Sequence, residues 1–131
     1  MRFRIETNEN IHEDASVLEA RRILAEWLES EAENFCASEL PTGKGVEVVV
    51  LRLENGLFQV TAINSTTTDW QVLCDPVASP GTVPTDEGEI PRRYFVDRDA
   101  VFEDASQLLE NGLFRSNSDW SPSKELEGYC W

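Results

Sequence analysis

Positive charge is what this sequence has least of. Eleven lysines and arginines stand against 25 aspartates and glutamates in 131 residues, a formal net charge of −14 with a pI near 4.3. That imbalance argues against binding nucleic acid or anionic membranes, where it would add repulsion, and it favours rapid encounter with a basic partner. His12 is the sole histidine and sits in a polar segment without patterned partners, a poor start for a general base or a metal ligand. Cys36, Cys74 and Cys130 are odd in number and widely spaced, which suggests neither a disulfide framework nor a zinc knuckle and fits a reducing compartment. No apolar run approaches the length that spans a bilayer, and residues 1–6 alternate instead of forming a signal-peptide core. A cytoplasmic location is expected.

Catalytic signatures are missing as well. Gly43-Lys44 lies in a loop, residues 40–45, without the flanking pattern of a phosphate loop. There is no Gly-x-Ser-x-Gly elbow, no glycine-rich nucleotide fingerprint and no cysteine with a histidine at suggestive spacing. Carboxylates are so abundant that plausible-looking pairs arise by chance. No catalytic residue, cofactor or metal ligand is assigned, and no enzyme is expected.

What is present is material for a core. Hydrophobic residues make up 40% of the chain, with four tryptophans and six phenylalanines, enough for a single domain over residues 1–131 to fold without staples. Phe3 and Ile5 suggest a short strand over residues 2–6. Glu13-Asp14 reads as the opening of a helix whose apolar period (Val17, Leu18, Ile23, Leu24, Trp27, Leu28, Ala32) continues to about residue 35. Asn55-Gly56 between two apolar runs, residues 46–53 and 57–63, predicts a hairpin. A two-residue turn would pair Leu53 with Phe58, Leu51 with Val60 and Val49 with Ala62 on one side, leaving Arg52 and Gln59 on the other. Trp70, Val72 and Cys74 suggest a third strand. Residues 75–88, holding Pro76, Pro80, Gly81 and Pro84, read as a long loop. Residues 90–96 form a further strand, with Pro91 at its start or on an edge. Asp97 caps a second helix with the stripe Val101, Phe102, Ala105, Leu108 and Leu109, and Gly112 ends it. The acids Asp97, Asp99, Glu103 and Asp104 lie near its dipole-favoured start. The fold class is α+β: an antiparallel sheet of four to five strands with two main helices packed mostly on one face.

The block from Phe95-Val96 through Asp97-Arg98-Asp99, the apolar stripe, Asn111-Gly112 and the late Trp120 resembles bacterial polymorphic-toxin immunity proteins, in particular the family guarding against deaminase-type toxins. The resemblance covers the last quarter to third of the chain. It departs in the turn after the helix, where Phe114-Arg115-Ser116 replaces a frequent Arg-Pro. It implies a protein that binds a cognate toxin domain, of deaminase or nuclease type, and occludes its active site or nucleic-acid cleft without turnover. Such a cleft is basic, so its blocker needs acids for encounter and aromatic anchors for affinity. The two occur together at Asp69-Trp70, in the loop Asp86-Glu87-Gly88-Glu89, and at Asp119-Trp120. The contact candidates are Asp86, Glu87 and Glu89, then Asp69, Trp70 and Asp119; both tryptophans are also expected to serve the core, Trp120 by closing it against the last helix. An acidic adaptor, chaperone or nucleic-acid mimic for a basic protein is the alternative class, and a small carboxylate enzyme the third.

Overall fold

The first helix begins at a capping box. In the computed structural model, which describes residues 1–41, 45–67 and 69–128, Ser16 Oγ accepts from the Glu19 N–H at 3.2 Å and Glu19 Oε1 accepts from the Ser16 N–H at 3.3 Å. Two otherwise free donors are thereby satisfied. Helix α1 runs Val17–Glu29 and stops at Ser30, whose N–H and hydroxyl both donate to the Trp27 carbonyl. The expected opening at Glu13-Asp14 and the extension to residue 35 are thus corrected. Ala32 and Phe35 keep a helical spacing by coincidence; Phe35 is an inward residue of a strand.

Among the described residues seven strands form one antiparallel sheet: β1 (Arg2–Thr7), β2 (Ile11–Ser16), β3 (Asn34–Glu39), β4 (Glu47–Arg52), β5 (Phe58–Ile63), β6 (Gln71–Cys74) and β9 (Asp119–Pro122), in the order β2-β1-β3-β4-β5-β6-β9. The expectation of four to five strands falls short of this. β2 was hidden by its charge. It is an edge strand carrying His12-Glu13-Asp14, and its register against β1 shifts between Ile5↔His12 and Phe3↔Ala15. Charge and irregular pairing on an edge both discourage unwanted strand addition.

Helix α2 (Arg98–Asn111) behaves as its sequence predicts. Asp97 accepts from the Ala100 N–H at 2.9 Å, and Gly112, left-handed at φ 74°, donates its N–H to Leu108 O. Both helices share one buried cluster with the same sheet face, through Ala20, Leu24, Trp27, Val101, Ala105, Leu108 and Leu109 against Phe3, Ile5, Phe35, Val48, Val50 and Val60.

The central hairpin is present, but its register differs from expectation by one residue. The turn has three residues, Glu54–Gly56, with Asn55 and Gly56 at positive φ, and the Leu53 N–H donates to Leu57 O. The pairs are therefore Arg52↔Phe58, Leu51↔Gln59, Val50↔Val60 and Val48↔Ala62. A one-residue slip reverses the faces of one strand. Val48 and Val50 point into the core, while Val49 and Leu51 are turned to the other side. Arg52 lies on the core side instead, over Trp27 and Phe58.

The segment expected as a long loop holds a second hairpin, β7 (Thr82–Thr85) and β8 (Gly88–Pro91). The expected strand over residues 90–96 becomes β8, a 3₁₀ turn (Arg92–Tyr94) and a single bridge from Val96 to Phe58. These pieces build a second apolar cluster: Val72, Cys74, Ile90, Tyr94, Phe95 and Leu126, flanked by Leu53, Leu57 and Val83. Leu73 belongs to the main core while Val72 and Cys74 do not. Because strand side chains alternate, this cluster covers the opposite sheet face at its β6 end. The expectations placed on Gly43-Lys44 and Cys130 fall outside the described residues.

Candidate partner-binding surface

The charge deficit becomes geometric once the arginines are placed, for every one is engaged inside the molecule. Arg2 meets Asp14 at 2.7 Å, Arg4 meets Glu6 at 3.2 Å and Glu13 at 3.6 Å, and Arg21 joins Glu110 across the helices. Arg22 lies 3.9 Å from Glu26, Arg92 3.9 Å from Asp75 and Arg93 3.6 Å from Glu125. Arg98 contacts Glu29, and Arg115 contacts Glu103 at 2.8 Å. Arg52 donates to the carbonyls of Trp27 and Ala32, and burial holds its guanidinium below the usual arginine range. Arg2 likewise holds the Asp14 carboxyl below the usual carboxylate range. Surface pairs of this kind add little stability, but they leave few cations to offset the remaining acids.

The predicted contact residues are placed as follows. Asp86 and Glu87 are exposed at the β7–β8 turn, where Thr85 Oγ1 accepts from the Glu87 N–H; Glu89 is exposed on β8 and accepts from Thr82 Oγ1. Asp69 is exposed and Trp70 half-buried just before β6. Asp119 pairs with Cys74, at the far end of β6 from Trp70. The structure therefore brings the acidic hairpin and Asp119 to the same sheet face but sets Asp69-Trp70 at the opposite end of the strand. Trp120 turns inward beside Phe114, ring centroids 4.8 Å apart, and packs on the main core.

Residues that sequence reasoning missed occupy the rest of that sheet face. One cross-strand row holds Glu6, Cys36, Val49 and Thr61, another Ser38, Glu47 and Ile63, and a third Asn34, Leu51 and Gln59. Val49, Leu51 and Ile63 belong to neither apolar cluster. Only the hairpin register could have revealed them. At one end of this face a cleft of about 550 Å³ is lined by Ser38, Glu47, Ile63, Asn64, Thr67 and Trp70. A second cleft, about 470 Å³, lies between the helices, with Ala25, Leu28 and Phe102 as floor and Glu26, Glu29, Asp99 and Glu103 around it.

The reactive groups are set for structure. Burial pushes the Cys36 thiol up, helped by Glu47, and burial also raises Cys74, so both stay protonated and poorly nucleophilic. Asp104 is 3% exposed, 3.6 Å from Arg115, and burial pushes its carboxyl above the usual range against the pull of Ser118, Arg115 and Trp120. Among the described residues no group of three His, Cys, Asp or Glu side chains is placed to hold a metal ion. Among them, too, no helix is long and apolar enough to cross a membrane. No protein-family model, no curated protein and no solved structure matches the chain.

Proposed function

We propose that this protein is a cytoplasmic immunity-type inhibitor, binding one copy of a cognate toxin domain and covering its basic, nucleic-acid-binding cleft. The observation that carries the reading is the disposition of charge. Arginines are consumed by internal pairs while Asp69, Asp86, Glu87 and Asp119 face solvent. A rigid sheet presenting such acids can occupy the places of substrate phosphates and speed the encounter. The resemblance of the block from Phe95 to Trp120 favours a deaminase over a nuclease as the target. Inhibition by occlusion needs no cofactor and no turnover.

Co-expression with the toxin domain encoded immediately upstream of its gene tests the reading. Cell survival together with co-purification of the pair supports it. Killing undiminished in the presence of folded, soluble protein contradicts it and favours an adaptor or chaperone for some other basic protein.

A further inference from the structure

One face of the seven-stranded sheet is covered by both helices, but the described residues cover the other only in part. The β7–β8 hairpin and the turns around Tyr94 and Leu126 close it over β6, through Val72 and Cys74. Over β3, β4 and β5 the outward residues join no cluster, and Leu51, 38% exposed, lies among half-buried Val49, Ile63 and Cys36. On the adjoining edge strand Ile11, paired with Glu6, is 53% exposed. Half-buried aliphatic side chains on central strands are surface that a partner can dry.

The charges around this apolar strip are mostly acidic. Arg4 is the cation in its cross-strand rows, and it is already shared between Glu6 and Glu13. Glu47 accepts from Ser38 Oγ at 2.8 Å and has no cationic partner among the described residues. Glu9, Glu33 and Glu54 are exposed at the end of the sheet near the β4–β5 turn, again without a paired cation among the described residues. The cleft between the helices differs. There Glu26, Glu29 and Glu103 are each matched by Arg22, Arg98 and Arg115. A second copy of this chain would bring −14 against −14, so self-association through the strip is opposed.

We infer that the part of this sheet face left open by the described residues, centred on Val49 and Leu51, is the seat for an arginine- and lysine-rich protein surface with an apolar centre, and that Glu47 beside Trp70 holds one of its basic side chains. This inference rests on the reading of the protein as an inhibitor of a basic toxin domain. Trp70 and Glu47 line one cleft, and an aromatic ring beside a carboxylate is a combination suited to a guanidinium through cation–π and charge-assisted contacts. The acidic β7–β8 hairpin stands beside the strip and supplies long-range attraction, while the strip supplies affinity.

The test uses the full chain and the toxin domain encoded upstream, with dissociation constants measured by calorimetry. Leu51→Arg and Glu47→Lys, two separate variants on exposed and half-buried positions, should each weaken binding about 30-fold or more. Leu18→Arg and Glu26→Lys, on the helix layer, should change it less than about threefold. Melting curves verify that each variant folds. Loss of binding in the helix-layer variants with none in Leu51→Arg or Glu47→Lys overturns the site while leaving the inhibitor reading intact. A wild-type chain that fails to bind overturns both. Leu51→Arg altering only self-association, seen by sedimentation, assigns the strip to a second copy and overturns the proposed occupant.

Discussion

The guanidinium carbon of Arg52 lies 4.7 Å from the centroid of the Trp27 ring, and its Nη2 donates to the Trp27 carbonyl at 2.8 Å. One side chain on β4 thus closes the carboxyl end of α1, joining Ser30 on the Trp27 carbonyl, reaching Leu28 O at 3.4 Å and meeting the negative end of the helix dipole. A second nitrogen reaches Ala32 O at 3.0 Å, so the connection from α1 to β3 is held by the same group. Arg52→Met should cost about 2–3 kcal/mol, read from urea unfolding. Arg52→Lys should recover little of it, since an ammonium cannot reproduce the flat fork and its stacking. Full recovery by lysine would show that charge alone matters there.

Gly112 ends α2 at φ 74°, and a Cβ on it would lie 3.3 Å from Val46 Cγ2. Gly112→Ala should destabilise by about 1–2 kcal/mol. Gly112→Asn should lose less in backbone terms, because asparagine tolerates the left-handed region. Equal stability of Gly112→Ala and wild type in denaturant melts would contradict the cap.

Asp104 carries a testable pH dependence. Its carboxyl is raised in the fold, chiefly by burial. Protonation therefore favours the folded state: this contribution is complete below the ordinary aspartate pKa of about 4 and is lost as pH rises through the raised value. Asp104→Asn should raise Tm at pH 7 and flatten the dependence of Tm on pH above about pH 4. A Tm that falls at pH 7 would show that Arg115 and its neighbours hold the ionised form at a net gain.

The hairpin acids should act on encounter. Replacing Asp86, Glu87 and Glu89 with serine removes three exposed charges from β7–β8 and leaves the apolar pairing of Val83 and Ile90 in place. The association rate with the toxin domain should fall several-fold at low salt, with a smaller change in dissociation rate. Stopped-flow rates that match wild type at every ionic strength would remove the hairpin from the encounter surface.

What could be read in the chain was whatever local chemistry decides. Asp97 and Gly112 bracket α2 as their residue types require, and Asn55-Gly56 marks a turn. Nonlocal features were hidden. Ser16 and Glu19 carry a capping signature, but Glu13-Asp14 also reads as an opening, and the apolar spacing through Ala32 and Phe35 overran the C-terminal end. β2 is a charged edge, so its polar residues gave no alternation to find. One extra turn residue moved Val49 and Leu51 from the core face to the opposite sheet face. Net acidity was plain from composition, whereas its sorting into paired and unpaired carboxylates required the fold.

The most direct measurement is a titration of the toxin domain's activity on its nucleic-acid substrate with this purified protein, at low and at high salt. The account predicts activity falling linearly to zero at one equivalent, with inhibition weakening as salt rises. Full activity in the presence of excess folded protein would contradict it, and so would complete inactivation at a small fraction of an equivalent, the mark of turnover.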